Sequence, residues 1–215
     1  MVRQQVRPVD PLQDLGGGQG GLPLTCLPGG KITSDTLLLA RAASRIPFRV
    51  CIDLGTGTGG VLRNLLSGDG LRIGVDISFE ALAGFPSDAG SPVLCPVEMI
   101  PSVFRKGCAD LVTANPPYFH RGSGRTPPGE YRRLSRMGDP LLQARFVFSG
   151  AFLLRPGGTM LLSCREERIL ESETCLRAAG FSRIGRLSDG GAFALEALLG
   201  YPGVPEDGRG VPGGV

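Results

Sequence analysis

Four consecutive residues, Asn115-Pro116-Pro117-Tyr118, have the types and spacing to grip a planar NH2 group. Two prolines in a row fix φ and remove backbone donors, so the Asn115 carboxamide and the Pro116 carbonyl stand as rigid acceptors. An amine conjugated to a π-system is a poor nucleophile because its lone pair is delocalised. Hydrogen bonds from both of its hydrogens, to Asn115 Oδ1 and to the Pro116 carbonyl, favour a pyramidal nitrogen whose lone pair is free for in-line attack. Tyr118, followed by Phe119, offers a flat face for stacking. Positioning of this kind can remove about 7–11 kcal/mol of barrier, and one oriented polar contact about 3. No general base is needed, because the nitrogen becomes acidic once alkylated and releases its proton to water or a carbonyl. That suits a chain whose single histidine is His120.

A second cluster, Asp53-Leu54-Gly55-Thr56-Gly57-Thr58-Gly59-Gly60, closes an apolar run and opens a helical segment. Free N–H groups at a helix start favour an anionic group, and bare glycine backbone lets a ligand approach. Gly55, Gly57 and Gly60 have the GxGxxG spacing, which does not separate a nicotinamide cofactor from another adenosine-bearing one. Two acids tilt the choice. Asp53 can accept an α-ammonium, where a pyrophosphate would be repelled. Asp76, at the end of the next apolar run, stands where an acid holds ribose hydroxyls. The set, with Gly59 in the same loop, describes S-adenosylmethionine better than NAD.

These residues must be carried by one domain, since 215 residues fall short of two independent catalytic units. The 23 basic and 20 acidic side chains leave a net charge of +3, which neither demands nor excludes a nucleic-acid partner. Six cysteines show no CxxC pair, and a single histidine nearly excludes a Ser-His-Asp triad or a multi-histidine metal site, so no metal is expected. No apolar run approaches the roughly 20 residues of a bilayer span and the start lacks the apolar stretch of a signal peptide, so a cytoplasmic protein is expected.

The runs at 48–55, 71–77, 91–97, 109–115 and 159–164 predict five strands flanked by Gly, Pro and Asp. FSRIGRLSD and AFALEALLG predict a final antiparallel pair at the sheet edge. Helices are expected over 34–45, 58–66, 140–154 and 167–179, with Ile169, Ser172, Leu176 and Ala179 on one face of the last. The alternation predicts an α/β, doubly wound, mostly parallel sheet with helices on both faces. The Gly/Pro-rich ends set the expected organisation: a flexible arm over 1–23, the domain over 24–200 and a flexible tail over 201–215.

The glycine loop followed by Asn-Pro-Pro-Tyr resembles a class I S-adenosylmethionine-dependent methyltransferase of the amino-methylating type. With GGKITSDTLLLA at 29–40, the Phe119 after the tetrapeptide and LRPGG at 154–158, it is similar to the bacterial tRNA adenine-N6 methyltransferases that modify valine tRNA beside the anticodon. The match covers roughly residues 24–200. It implies a Rossmann-like, seven-stranded sheet ordered 3-2-1-4-5-7-6 with an antiparallel last strand. It also implies that Asp53, Gly55, Gly57, Gly59 and Asp76 bind S-adenosylmethionine, and that Asn115, Pro116, Pro117 and Tyr118 hold the target adenine. Asp35 and Thr36 would lie near the methionine end of the cofactor, although Ser34 or Asp35 equally reads as a helix N-cap. Glu98 stands where relatives carry a Gly-Asp pair toward the adenine amine, and Ser188-Asp189-Gly190-Gly191-Ala192 replaces a basic stretch before the last strand.

Between 120 and 145 six arginines (121, 125, 132, 133, 136 and 145) face only Glu130 and Asp139, a net of +4 in a chain whose total is +3. Arg121, Arg125, Arg132, Arg133 and Arg136, with Phe119, are candidate contacts to an RNA substrate, tRNA in the first place. A target adenine would have to leave its stack, which costs least in an unpaired loop. Two other readings stay open. One is a protein glutamine N5-methyltransferase, which faces the same amide problem but usually carries an amino-terminal helical substrate domain. The other is a non-catalytic methyltransferase-like RNA-binding or partner subunit.

Overall fold

The structure, a computed structural model, describes residues 32–66, 69–116 and 141–200. Its helices are α1 (Ser34–Ala43), α2 (Gly60–Arg63), α3 (Phe79–Ala83), α4 (Ile100–Val103), α5 (Leu142–Leu153) and α6 (Ile169–Ala178). The strands are β1 (Val50–Leu54), β2 (Leu71–Asp76), β3 (Ser91–Leu94), β4 (Ala109–Ala114), β5 (Leu154–Cys164), β6 (Phe181–Asp189) and β7 (Ala192–Leu199). They form one sheet in the order β3-β2-β1-β4-β5-β7-β6. β7 alone runs antiparallel to its neighbours β5 and β6. The chain steps outward from β1 to β2 and β3, then returns to the other side of β1 as β4. The crevice opened by that reversal lies at the carboxyl ends of β1 and β4, where a doubly wound sheet binds its ligand.

Alternation along the strands sorts side chains onto two apolar layers. Ile52, Leu54, Val112, Ala114, Met160, Leu162 and Leu195 pack with Phe146, Val147 and Leu153 of α5 and Leu176 of α6. Cys51, Leu111, Leu161 and Ala194 pack with Leu38, Leu39, Ala40 and Ala43 of α1 and Val61 and Leu62 of α2. The central strands are covered on both faces, which is why they read as apolar runs with few polar interruptions. Three of those interruptions, Asp53, Thr113 and Ser163, are buried and lie on the α1 side.

At the amino-terminal edge of the sheet Asp110 acts as a clamp. Its Oδ2 accepts the backbone N–H groups of Arg49 (2.8 Å) and Val50 (2.9 Å), and its Oδ1 accepts Nε of Arg155 (2.5 Å), so one carboxylate joins the starts of β1, β4 and β5. Burial opposes ionisation of Asp110, but the guanidinium and the two amides outweigh it and hold the carboxyl below its usual range.

Several boundaries depart from the expected ones. The helix expected over 58–66 is a single turn, ended where Asn64 Nδ2 donates to the Gly60 carbonyl (2.8 Å). β5 begins at Leu154, so the LRPGG segment lies within the strand, beside the register shift between Ala109 and Leu111 of β4. The cap of α1 is Thr33, whose hydroxyl accepts the N–H of Thr36 (3.2 Å), rather than Ser34 or Asp35. The short helices α3 and α4 have too few residues to show a helical period in the sequence.

Candidate active site

The glycine loop is stitched to the end of β2. The N–H groups of Gly55 (2.8 Å) and Thr56 (3.0 Å) donate to the Val75 carbonyl, and Gly57 N–H donates to Asp76 Oδ2 (2.8 Å). Gly55 and Gly57 sit at φ of 71° and 57°, which side chains with a Cβ rarely adopt. A Cβ at Gly57 would meet nothing within 4 Å, so this part of the loop presents open backbone. Gly60 serves differently: a Cβ there would stand 3.2 Å from Thr36 Cγ2, so the third glycine lets α1 pack on the loop. Two aromatic rings missed in the sequence support it from either side. Phe146 of α5 lies 3.1 Å from a Cβ placed on Gly55, and Phe85 lies 2.9 Å from one on Gly59.

Asp76 is mostly buried at the end of β2, and its Oδ1 also accepts the N–H of Ser78 (2.8 Å). Each oxygen thus accepts one backbone amide and keeps a lone pair. Asp53 is 2% exposed at the end of β1, and its Oδ1 accepts the hydroxyl of Thr113 (2.6 Å) from the adjoining position of β4. Burial pushes its carboxyl up to about 6, with the Asp76 charge adding to the rise while the hydroxyl of Thr113 pulls the other way. No cation contributes to its surroundings among the described residues. A buried carboxylate with a hydroxyl partner and no cation is suited to a ligand that brings a positive charge.

Asn115 follows β4 directly, half-buried, and Pro116 after it is buried. Asn115 Oδ1 accepts the hydroxyl of Ser163 from β5 (2.5 Å), a partner the sequence reading did not foresee. A polar residue among Met160, Leu161 and Leu162 was the only signal for it, and its meaning depends on strand register. Thr113 left the same kind of trace in β4.

Asp35 lies partly buried in the first turn of α1, where burial raises its carboxyl against the nearby Arg165 charge. Glu98, in the turn after β3, is ion-paired with Nη1 of Arg145 on α5. One of the six arginines of the basic segment is thereby tied to a candidate cofactor residue. Pro117, Tyr118, Phe119, Arg121, Arg125, Arg132, Arg133 and Arg136 lie outside the described residues, as do the expected arm over 1–23 and tail over 201–215. The structure thus brings together Asp53, Gly55, Gly57, Gly59 and Asp76 in one loop system, with Asn115 on the adjoining strand. No helix among the described residues is long and apolar enough to cross a membrane, and no group of His, Cys, Asp or Glu there could hold a metal ion.

No family model matches the chain. Among curated proteins it is similar to a release factor glutamine methyltransferase of Cereibacter sphaeroides, 32% identical in an alignment 179 positions long that covers 74% of this chain and 64% of that protein. The chain therefore spans less than two thirds of the length of the curated relative. Among solved structures it resembles a 16S rRNA N2 G1207 methyltransferase from T. thermophilus in complex with AdoMet and guanosine, with a TM-score of 0.58, 22% identity, and coverage of 80% of this chain and 44% of that one. A S-adenosylmethionine-dependent O-methyltransferase of Thermotoga maritima gives a TM-score of 0.59 at 13% identity over 82% of this chain and 69% of that one. A putative methyltransferase solved with the Trm112 activator of Haloferax volcanii gives 0.56 at 16% identity over 78% of this chain and 90% of that one. By strand order, strand direction and these likenesses, the chain has the Rossmann-like fold of class I S-adenosylmethionine-dependent methyltransferases.

Proposed function

We propose that the protein is an S-adenosylmethionine-dependent N-methyltransferase whose acceptor is a planar NH2 group. The observation that carries this reading is the placement of Asn115, rigidly followed by Pro116, on the strand beside the glycine loop, with a buried Asp53 that has no cation of its own among the described residues. When bound, S-adenosylmethionine supplies an electrophilic methyl group on a sulfonium. Asp76 offers lone pairs to the ribose hydroxyls, and Asp53 acts on the α-ammonium across the turn, through a medium of low dielectric. Glu98, in the turn after β3, and Asp35, on α1, are assigned to the same cofactor. Asn115 Oδ1 and the Pro116 carbonyl accept the hydrogens of the acceptor amine, and Pro117 and Tyr118 complete the grip in the same chain stretch.

Two acceptors satisfy this chemistry. The likeness to a release factor glutamine methyltransferase favours the side-chain amide of a protein glutamine, and we take it as the leading reading. The arginine content of 120–145 favours the second, N6 of an adenine in tRNA, with Phe119 stacking and Arg121, Arg125, Arg132, Arg133 and Arg136 on phosphates. The test incubates the protein with radiolabelled methyl donor and either bacterial release factors or unmodified tRNA, followed by mass analysis. N5-methylglutamine is expected; N6-methyladenosine would select the second reading, and neither product would refute both. Asn115→Ala is expected to keep S-adenosylhomocysteine affinity while transfer falls about a hundredfold or more, the usual cost of one oriented polar contact at a reacting group.

A further inference from the structure

We infer that Ser163 is a positioning residue, which fixes the carboxamide of Asn115 so that it presents an acceptor to the substrate amine. The inference rests on the acceptor role proposed for Asn115. Ser163 is 1% exposed near the end of β5, among the buried Met160, Leu161, Leu162 and Cys164. A hydroxyl at such a place is unfavourable unless it is hydrogen-bonded. The β4–β5 ladder ends with Ala114 beside Leu162, so the next residue on each strand brings Asn115 alongside Ser163. The hydroxyl donates to Oδ1 over 2.5 Å.

That bond matters because the terminal torsion of an asparagine is broad and nearly two-fold, so an unsupported carboxamide can exchange its oxygen and nitrogen. An NH2 presented to the acceptor amine would oppose donor to donor. Donation from Ser163 selects the orientation with oxygen toward β5, uses one of its two lone pairs and leaves the other for the substrate. Thr113 does the same for Asp53 on the same face of the sheet, two residues before Asn115. Asp53 and Asn115 are thus each held by a hydroxyl of the neighbouring strand.

The test compares Ser163→Ala and Ser163→Thr in the wild-type and Asn115→Ala backgrounds, by methyl-transfer kinetics on the acceptor identified above. Ser163→Ala is expected to lower kcat about tenfold with KM for the methyl donor within about twofold, the loss of one oriented neutral hydrogen bond expressed at the reacting group. Ser163→Thr, which keeps the hydroxyl, restores most of the rate. In the Asn115→Ala background Ser163→Ala costs nothing further, because its effect passes through the missing carboxamide. An unchanged kcat in Ser163→Ala, or the same loss in both backgrounds, overturns the role of Ser163 alone. Transfer that survives Asn115→Ala at the wild-type rate overturns the acceptor reading itself, and Ser163 with it.

Discussion

The two edges of the sheet carry the same residue type in opposite electrostatic conditions. At the amino-terminal edge Asp110 accepts two backbone amides and the Arg155 guanidinium, and its carboxyl is held below the ordinary range. At the carboxyl edge Asp53 is more deeply buried, accepts the Thr113 hydroxyl, has no cation among the described residues, and is raised to about 6. The first carboxylate is complete within the fold and serves stability. The second has no cation among the described residues, and under the proposed function the crevice beside it is where a cationic ligand would come. The difference separates an aspartate that holds strands together from one that the proposed function assigns to a ligand, although both look alike in sequence.

Removing the charge at each position breaks the comparison most sharply. Asp53→Asn keeps an acceptor for Thr113 and removes a carboxylate that burial disfavours. It is expected to leave thermal stability unchanged or higher while S-adenosylhomocysteine affinity, measured by calorimetry, falls about a hundredfold, the cost of a lost charge-assisted contact in a buried site. Asp110→Ala should do the reverse. It strands the amides of Arg49 and Val50 and is expected to lower stability by about 2 kcal/mol in denaturant titration, with affinity for the same ligand unchanged. Arg155 is 55% exposed, so the ion pair adds little to that loss. Loss of ligand affinity in Asp110→Ala, with the fold intact, would erase the distinction.

How much of this contrast could be read from the chain depends on the range of the interaction. Strands and the long helices were legible because Gly, Pro and Asp flank each apolar run, and the glycine turn because it directly closes one such run. The pairs that set the site were not. Thr113 meets Asp53 across 60 residues and Ser163 meets Asn115 across 48, and both depend on which strands pair and in what register. The same limit applies to Phe146 and Phe85, whose rings read as ordinary core residues until α5 and the segment before β3 fold against the loop. The length of α2 was misjudged for a local reason: Asn64 turns back onto Gly60 and ends the helix after one turn.

The comparison extends to pH. An acid raised by the fold keeps its proton to a higher pH than in the unfolded chain, so the Asp53 contribution to stability declines as pH rises from about 4 to about 6 and is level above that. The Asp110 contribution has the opposite sign, full above the unfolded carboxylate range and lost on acidification through its lowered value. The thermal midpoint of Asp53→Asn should therefore lack the decline between pH 4 and 6 that the parent shows. Ligand affinity should follow the ionised form of Asp53: nearly flat above pH 6 and falling by up to about tenfold per unit below it. An affinity that stays level down to pH 4.5 would remove Asp53 from ligand binding.

The smallest effect is expected where a carboxylate at the binding edge already has its cation. Glu98 is paired with Arg145, and both side chains are about two-fifths exposed, so the pair resembles Asp110 and Arg155 in composition but not in surroundings. Water competes for both groups, and no backbone amide adds to the Glu98 carboxylate among the bonds that define the turn after β3. Arg145→Ala is accordingly expected to change stability by less than about 1 kcal/mol. Its effect on affinity reads the second role of Glu98. If the carboxylate serves mainly to fix α5 against the turn, S-adenosylhomocysteine affinity stays within about threefold, the span of a surface pair. If Glu98 contacts the adenine amine of the cofactor, freeing it from Arg145 strengthens binding, while Glu98→Gln weakens it in the parent and in Arg145→Ala alike. The two variants together thus decide whether the binding edge holds one ligand-directed carboxylate beyond Asp53 and Asp76 or only a brace for the helix that follows the basic segment.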